Sequence, residues 1–103
     1  MQRGDVRWYR LGRPDKQRPV VVLTRGAALE FLSDVTVAPV TTTIRTIPTE
    51  VILTREDGMP RTCAANLDHV QTVSRARVGA LITTLGTDRM TEIADALRFA
   101  LDV

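Results

Sequence analysis

Histidine, cysteine and lysine occur once each in this 103-residue chain, as His69, Cys63 and Lys16. A lone thiol excludes an internal disulfide, and the flanking "RTCAAN" supplies neither a second sulfur nor a nearby histidine for zinc. Cys63 therefore reads as a small core or half-buried filler. Metal catalysis needs clustered imidazole, thiolate or carboxylate ligands, so neither a metal nor a cofactor is expected. The six glycines are scattered and form neither GxGxxG nor GxxxxGKS/T, which sets nucleotide hydrolysis aside. A Ser-His-Asp relay would have to join Ser33 or Ser74 to His69, and neither serine sits in a nucleophile-elbow context. No window approaches the roughly 18 apolar residues that cross a bilayer. The opening "MQRGDVRWYR" alternates charged and apolar residues without an apolar signal region, and the expected location is the cytoplasm.

An apolar fraction of 44% with 25% charged residues is ordinary for a soluble globular protein. A chain of this length can bury roughly 60 to 70% of its unfolded surface in one core but cannot fill two, so residues 1–103 are expected to form a single domain. Net charge is only +2, yet Lys16 is the single lysine among fourteen basic residues. Arginine keeps its charge at any working pH and offers a planar fork that fits phosphate oxygens in pairs. That permits a nucleic-acid partner without demanding one, since arginine enrichment also follows from genomic base composition.

The first half reads as strands. "DVRWYRL" (Asp5 to Leu11) alternates Val6 and Trp8 against Arg7, Tyr9 and Arg10, predicting one apolar face. "RPVVVLT" (Arg18 to Thr24) contains the most continuous apolar run, suited to a central strand covered on both sides. "GAALEFLSD" predicts a short helical turn or loop. "VTVAPVTTT" (Val35 to Thr43) returns to strand character, with Pro39 suggesting an edge or a bulge. Three more strand candidates follow: "TEVILT" (Thr49 to Thr54), "RTCAANL" running into "DHVQTV" (Arg61 to Val73), and "RVGALIT" (Arg77 to Thr83). Short strands at this density predict a small barrel of about six or seven strands. From Asp88 onward Met90, Ile93, Ala94, Leu97 and Leu101 recur at three and four, predicting an amphipathic C-terminal helix capped by Thr87 or Asp88. The fold class is thus mainly β (α+β).

Arginines, threonines and one carboxylate at a strand end suit phosphodiester chemistry in which the substrate brings its own nucleophile. RNA does so through its 2′-hydroxyl. Such cleavage needs a base near that hydroxyl, a cation against the charge that builds on the phosphorane, and a donor for the leaving 5′-oxygen. Histidine pairs cannot supply both roles within one chain.

The order "RGD" with Trp8, then "RPVVVLT", "VAPVTTT", "ANLDHVQTV" and a terminal "EIADALRFAL" resembles the MazF/PemK family of toxin endoribonucleases over nearly the whole chain. The resemblance implies an SH3-like barrel with a C-terminal helix, usually a homodimer. It implies metal-independent cleavage of single-stranded RNA to 2′,3′-cyclic phosphate and 5′-hydroxyl ends, and a cognate antitoxin that occupies the RNA groove. Carried across by position, Arg18 matches the family's catalytic arginine and Thr41 the threonine facing the same phosphate. Asp68 falls where some members have a functional acidic residue, and Asn66 stands where a relative has a catalytic arginine. Thr43 and Arg45, beyond Thr41, are expected to line the RNA groove, as are Asn66 and, in "GRPDKQ", Arg13, Lys16 and Gln17. That loop is shorter than the family's and lacks its Gly-x-Glu-Gln/His segment, which implies a more open groove able to admit structured RNA such as a tRNA loop.

Each of these residues also has a plainer reading. Arg18 can be a strand-entry residue whose charge sits in solvent while Pro19 fixes the backbone. Threonines at 41 to 43 are what any strand favours. His69 reads as a polar strand residue, since the family usually carries glutamine there, and Trp8 as core by burial statistics. Two other functions share the barrel: a non-catalytic gyrase poison of the CcdB type and a plain SH3-like nucleic-acid binding module. The arginine-proline and threonine pairing favours cleavage over both.

Overall fold

Val20, Val21 and Val22 are all buried, as a β-branched run with side chains on alternate faces requires when both faces are covered. The computed structural model describes residues 1–12 and 16–103, which places Arg13 outside the described residues. Its strands are β1 (Asp5–Arg10), β2 (Gln17–Val22), β3 (Asp34–Thr41), β4 (Glu50–Leu53), β5 (Cys63–Asn66), β6 (Gln71–Ser74) and β7 (Val78–Thr84). Helical turn α1 (Gly26–Leu29) precedes β3, and helix α2 (Thr87–Leu101) follows β7. The sheet runs β4-β5-β3-β2-β1-β7, with β6 also paired to β3, and every pairing is antiparallel. The mainly β fold with a C-terminal helix is as expected. Among the described residues β4 and β7, at the two ends, are not paired to each other, so the sheet is not a closed barrel.

Two apolar clusters occupy the two faces. Val6, Val21, Ala38, Val40, Leu53 and Leu67 pack with Ile93 and Ala96 of α2 on one side. Val20, Val22, Leu29, Val35, Val37 and Val73 form the other. β2 is an interior strand between β1 and β3, but the hub is β3, which pairs with β2, β5 and β6. Pro39 is therefore neither at an edge nor in a bulge. β6 pairs with residues Asp34 to Val37 and β5 with Val40 and Thr41, so Pro39 stands where the outer side of β3 passes from one partner to the other. The missing amide proton is tolerated at such a gap.

The expected strand from Arg61 to Val73 is two strands. A 3-10 turn at Leu67–His69 divides them, because Leu67 is buried in the first cluster and turns the chain inward. Gly58 ends the preceding 3-10 turn with φ +95, and a Cβ there would collide with the Thr83 side chain. At α2 the cap is Gly86, with no side-chain cap bond, while Thr87 and Asp88 lie in the first turn. Ile93 and Ala96 are buried and Met90 and Leu97 partly so, as the periodicity predicts. Leu101, the last residue of the helix, is 55% exposed and lies outside the cluster. Trp8, expected in the core, is half-buried and belongs to neither cluster. It pairs with Pro19, two residues beyond the Val6–Val21 pair that α2 covers.

Candidate active site

The register of β2 on β3 sets Val20 against Pro39, Val21 against Ala38 and Val22 against Val37. Carried two residues further, it brings Arg18 opposite Thr41. Alternation puts Arg18 on the face of Val20 and Val22, and Thr41 on the face of Val35 and Val37. Those four valines belong to the second cluster. The two side chains line one groove of about 460 Å³ together with Leu11, Pro39, Asn66, His69 and Gln71. Pro19 fixes the backbone immediately after the arginine.

Thr41 is the last residue of β3, and its Oγ1 accepts the Thr43 N–H at 3.1 Å. That turn orients the oxygen and leaves the hydroxyl hydrogen available as a donor. Thr43 is exposed and contributes its backbone to this turn.

Asn66 is oriented from behind by Arg45, whose Nη2 donates to Asn66 Oδ1 at 3.1 Å. A guanidinium only donates, so the carboxamide must turn its oxygen toward Arg45 and keep its NH2 for the groove. Arg45 itself is held by carboxylates. Its Nε donates to Glu50 Oε2 at 3.0 Å, and its Nη2 to Asp68 Oδ2 at 3.1 Å and Oδ1 at 3.2 Å. Glu50 has a side chain only 1% exposed and also accepts the backbone N–H groups of Arg45 and Thr46. Burial raises the Glu50 pKa, but hydrogen bonds from Arg45 and Thr46 outweigh it and leave the carboxyl below its ordinary range. Asp68 is likewise lowered: desolvation opposes the shift, and the hydrogen bond from Arg45 dominates it. Glu50 pairs with Asn66 across β4 and β5, which brings the network's backbone anchors side by side.

Arg18, Thr41 and Asn66 are therefore brought together. Asp68 sits just behind them, bound to Arg45, with His69 Nε2 at 3.6 Å from its Oδ2. Arg45 joins Asp68 and Asn66 from one position, and its guanidinium faces carboxylates. Gln17 does not share the groove: alternation sends it to a neighbouring cavity lined by Trp8, Arg10, Ala76, Arg77 and Gly79. Lys16 is exposed, with its carbonyl accepting the Leu11 N–H.

His69, expected on a strand, lies on the 3-10 turn, and its 63% exposed side chain lines the groove. Leu11, Pro39 and Gln71 line it too, and sequence reasoning did not single them out. Nor did it find Glu50, whose importance comes from a strand pairing that no local pattern announces. Among the described residues no group of three or more His, Cys, Asp or Glu is placed to hold a metal ion. Among them, no helix is long and apolar enough to cross a membrane.

The same architecture recurs in solved structures. The Mycobacterium tuberculosis toxin MazF-mt6 superposes with a TM-score of 0.87 at 33% identity, over 96% of this chain and 97% of its own. An endoribonuclease from mycobacterial species, solved in complex with its cognate antitoxin, gives a TM-score of 0.90 at 29% identity, over 100% of this chain and 96% of its own. The probable endoribonuclease MazF5 of Mycobacterium tuberculosis is 44% identical over 101 residues, 97% of this chain and 92% of that protein. The family model for PemK-like, MazF-like toxins of type II toxin-antitoxin systems matches residues 2–101. With this fold, this groove and that match, the chain belongs to the PemK-like, MazF-like toxin family.

Proposed function

We propose that this chain is a toxin endoribonuclease that cuts single-stranded RNA by attack of the 2′-hydroxyl on the adjacent phosphate. The observation that carries the reading is the shared groove of Arg18 and Thr41, a permanent cation and a free hydroxyl donor on one face of neighbouring strands. The 2′-oxygen forms a bond to phosphorus as its proton passes to water in the open groove. The P–O5′ bond then breaks, leaving a 2′,3′-cyclic phosphate, and the departing 5′-oxygen is protonated from solvent. Arg18 hydrogen-bonds the phosphorane and the leaving oxygen, Thr41 donates to a phosphate oxygen, and Asn66 NH2 supplies a second neutral donor. Preorganised donors of this kind are worth most where charge develops in the transition state. Asp68 supports the site by holding Arg45, rather than by meeting RNA.

Family membership supports a cognate antitoxin as partner and an intracellular site of action in the cytoplasm. A homodimer is part of the same reading. β7 pairs only with β1 among the described residues and exposes Leu81, an edge of the kind that a second copy covers. Cleavage of total RNA in the presence of EDTA, read by mapping new 5′-hydroxyl ends, tests the activity. Arg18→Ala is expected to lower it at least about 10²-fold with the fold retained, and Thr41→Ala by about tenfold or more, with Thr41→Ser close to the parent. A folded Arg18→Ala protein that cuts at the parental rate contradicts the assignment. Protein that binds without cutting, or that blocks DNA supercoiling instead, contradicts the activity itself.

A further inference from the structure

Trp8 is the only tryptophan of the chain and, although half-buried, is in neither apolar cluster. It walls a cavity of about 310 Å³ with Pro19, Met59, Pro60, Arg61 and Thr41. Thr41 and Val40 line this cavity and the Arg18 groove alike, so the two meet at the end of β3. The walls are a flat indole, two proline rings and a thioether, with a guanidinium among them. Trp8 also borders a second cavity, which Arg10, Gln17 and Arg77 line, so two more cationic residues lie close by.

We propose that the Trp8 cavity receives the nucleobase next to the scissile phosphate, with Trp8 as its stacking surface and Arg61 as a specificity-determining residue of the cleavage reaction. The proposal rests on the endoribonuclease reading and deepens it. A phosphate held by Arg18 and Thr41 places its neighbouring nucleoside at the shared Thr41 wall. A base has the planar apolar faces that Trp8, Pro19 and Pro60 fit, and polar edges that Arg61 can reach with donors. Stacking on the indole supplies affinity for any base, and the guanidinium selects among them by their acceptors. The next phosphates of the strand then meet Arg10 and Arg77.

Because the chain has one tryptophan, indole emission reports Trp8 and its surroundings. The probe is a fluorescein-labelled random nine-nucleotide RNA pool with 2′-fluoro riboses, which has no nucleophile, alongside a nine-unit abasic strand of equal charge. The pool is expected to bind, by anisotropy, and to quench Trp8, and the abasic strand to leave the emission unchanged. Trp8→Phe should bind within about threefold of the parent and Trp8→Leu at least about tenfold more weakly, the size of losing one stacked base. On cleavable RNA, Arg61→Ala should broaden the base preference at one position beside the cut, read as the spread of mapped 5′-hydroxyl ends. Unchanged emission at saturating pool, equal quenching by the abasic strand, or parental binding by Trp8→Leu overturns the cavity assignment and leaves the nuclease reading standing. A pool that does not bind, with total RNA uncut, overturns both. The quenching measurement uses the parent protein, so it decides the matter even where Trp8→Leu fails to fold.

Discussion

Arg18 derives its place from its neighbours in the chain as much as from its charge. Pro19 fixes the backbone after it, Val20 to Val22 lock β2 into the core, and the β2–β3 register then decides that Thr41 stands across from it. The pairing explains why a strand-entry arginine, unremarkable by spacing, comes to share a groove with Thr41. His69 illustrates the converse. It lines the groove, but its side chain is largely exposed and its nearest charged neighbour is Asp68. His69→Gln is therefore expected to leave kcat/KM within about threefold of the parent, and a loss beyond about 10²-fold, the scale of a general base, would place the imidazole in the proton transfer. Glu50 belongs to a third kind, a residue felt only through Arg45. Glu50→Ala removes the acceptor of two backbone amides and of the Arg45 Nε, which loosens Asn66. The expected result is a lower Tm and cleavage reduced by about tenfold through lost positioning, with Arg18 and Thr41 untouched.

At the scale of elements, what could be read from the chain divides along the range of the forces involved. The valine run and the three-and-four periodicity of α2 are local patterns, and both appear where expected, with Ile93 fully buried. Boundaries and partners depend on contacts distant in sequence, and there the expectations slipped. Nothing local to "ANLDHVQTV" indicates that Leu67 must turn inward and split one strand into two. Pro39 alone suggests an edge; only the change of partner from β6 to β5 makes it acceptable in the hub strand. Arg18 and Thr41 were legible as a pair through resemblance to a family, whereas the Arg45–Glu50 pair required the β4–β5 register. Two substitutions probe these elements. Ile93→Ala should cost about 2–5 kcal/mol in urea unfolding by opening a cavity between α2 and the sheet. Gly58→Ala should cost about 1–3 kcal/mol through its left-handed backbone, aggravated by the Thr83 side chain beside it. Neutral values in either case would mean that the helix or the turn is not packed as described.

For the molecule as a whole, its carboxylates set the response to acid. Asp5 is 2% exposed; burial raises its pKa, but hydrogen bonds from the Gln2 amide, Arg7 and Thr84 outweigh this and lower it. Asp57 is lowered too, where Arg89 and Thr54 overcome desolvation. With Glu50 and Asp68 shifted the same way, the folded state holds these protons less readily than the unfolded chain. The stabilisation is therefore fully present above the ordinary carboxylate range, near pH 4, and is lost as pH falls through the lower folded values. Tm should stay level from pH 7 to 5 and drop below about pH 4. Asp5→Asn should start lower at pH 7 and lose less on acidification, and an undiminished drop would remove Asp5 from the account. The edge at β7 makes a separate prediction at this scale: light scattering should give twice the chain mass, with Leu81→Asp shifting it toward the monomer.

In the proposed reaction one cation and one hydroxyl, on adjacent strands, hold a single phosphate. The most direct measurement is a crystal structure of the protein with an RNA oligonucleotide that carries 2′-deoxyribose at the mapped cut. Arg18 guanidinium nitrogens and Thr41 Oγ1 are expected within hydrogen-bond reach, about 3 Å, of oxygens on the same phosphate. An oligonucleotide bound with that phosphate against only one of the two residues, or outside their groove, would contradict it.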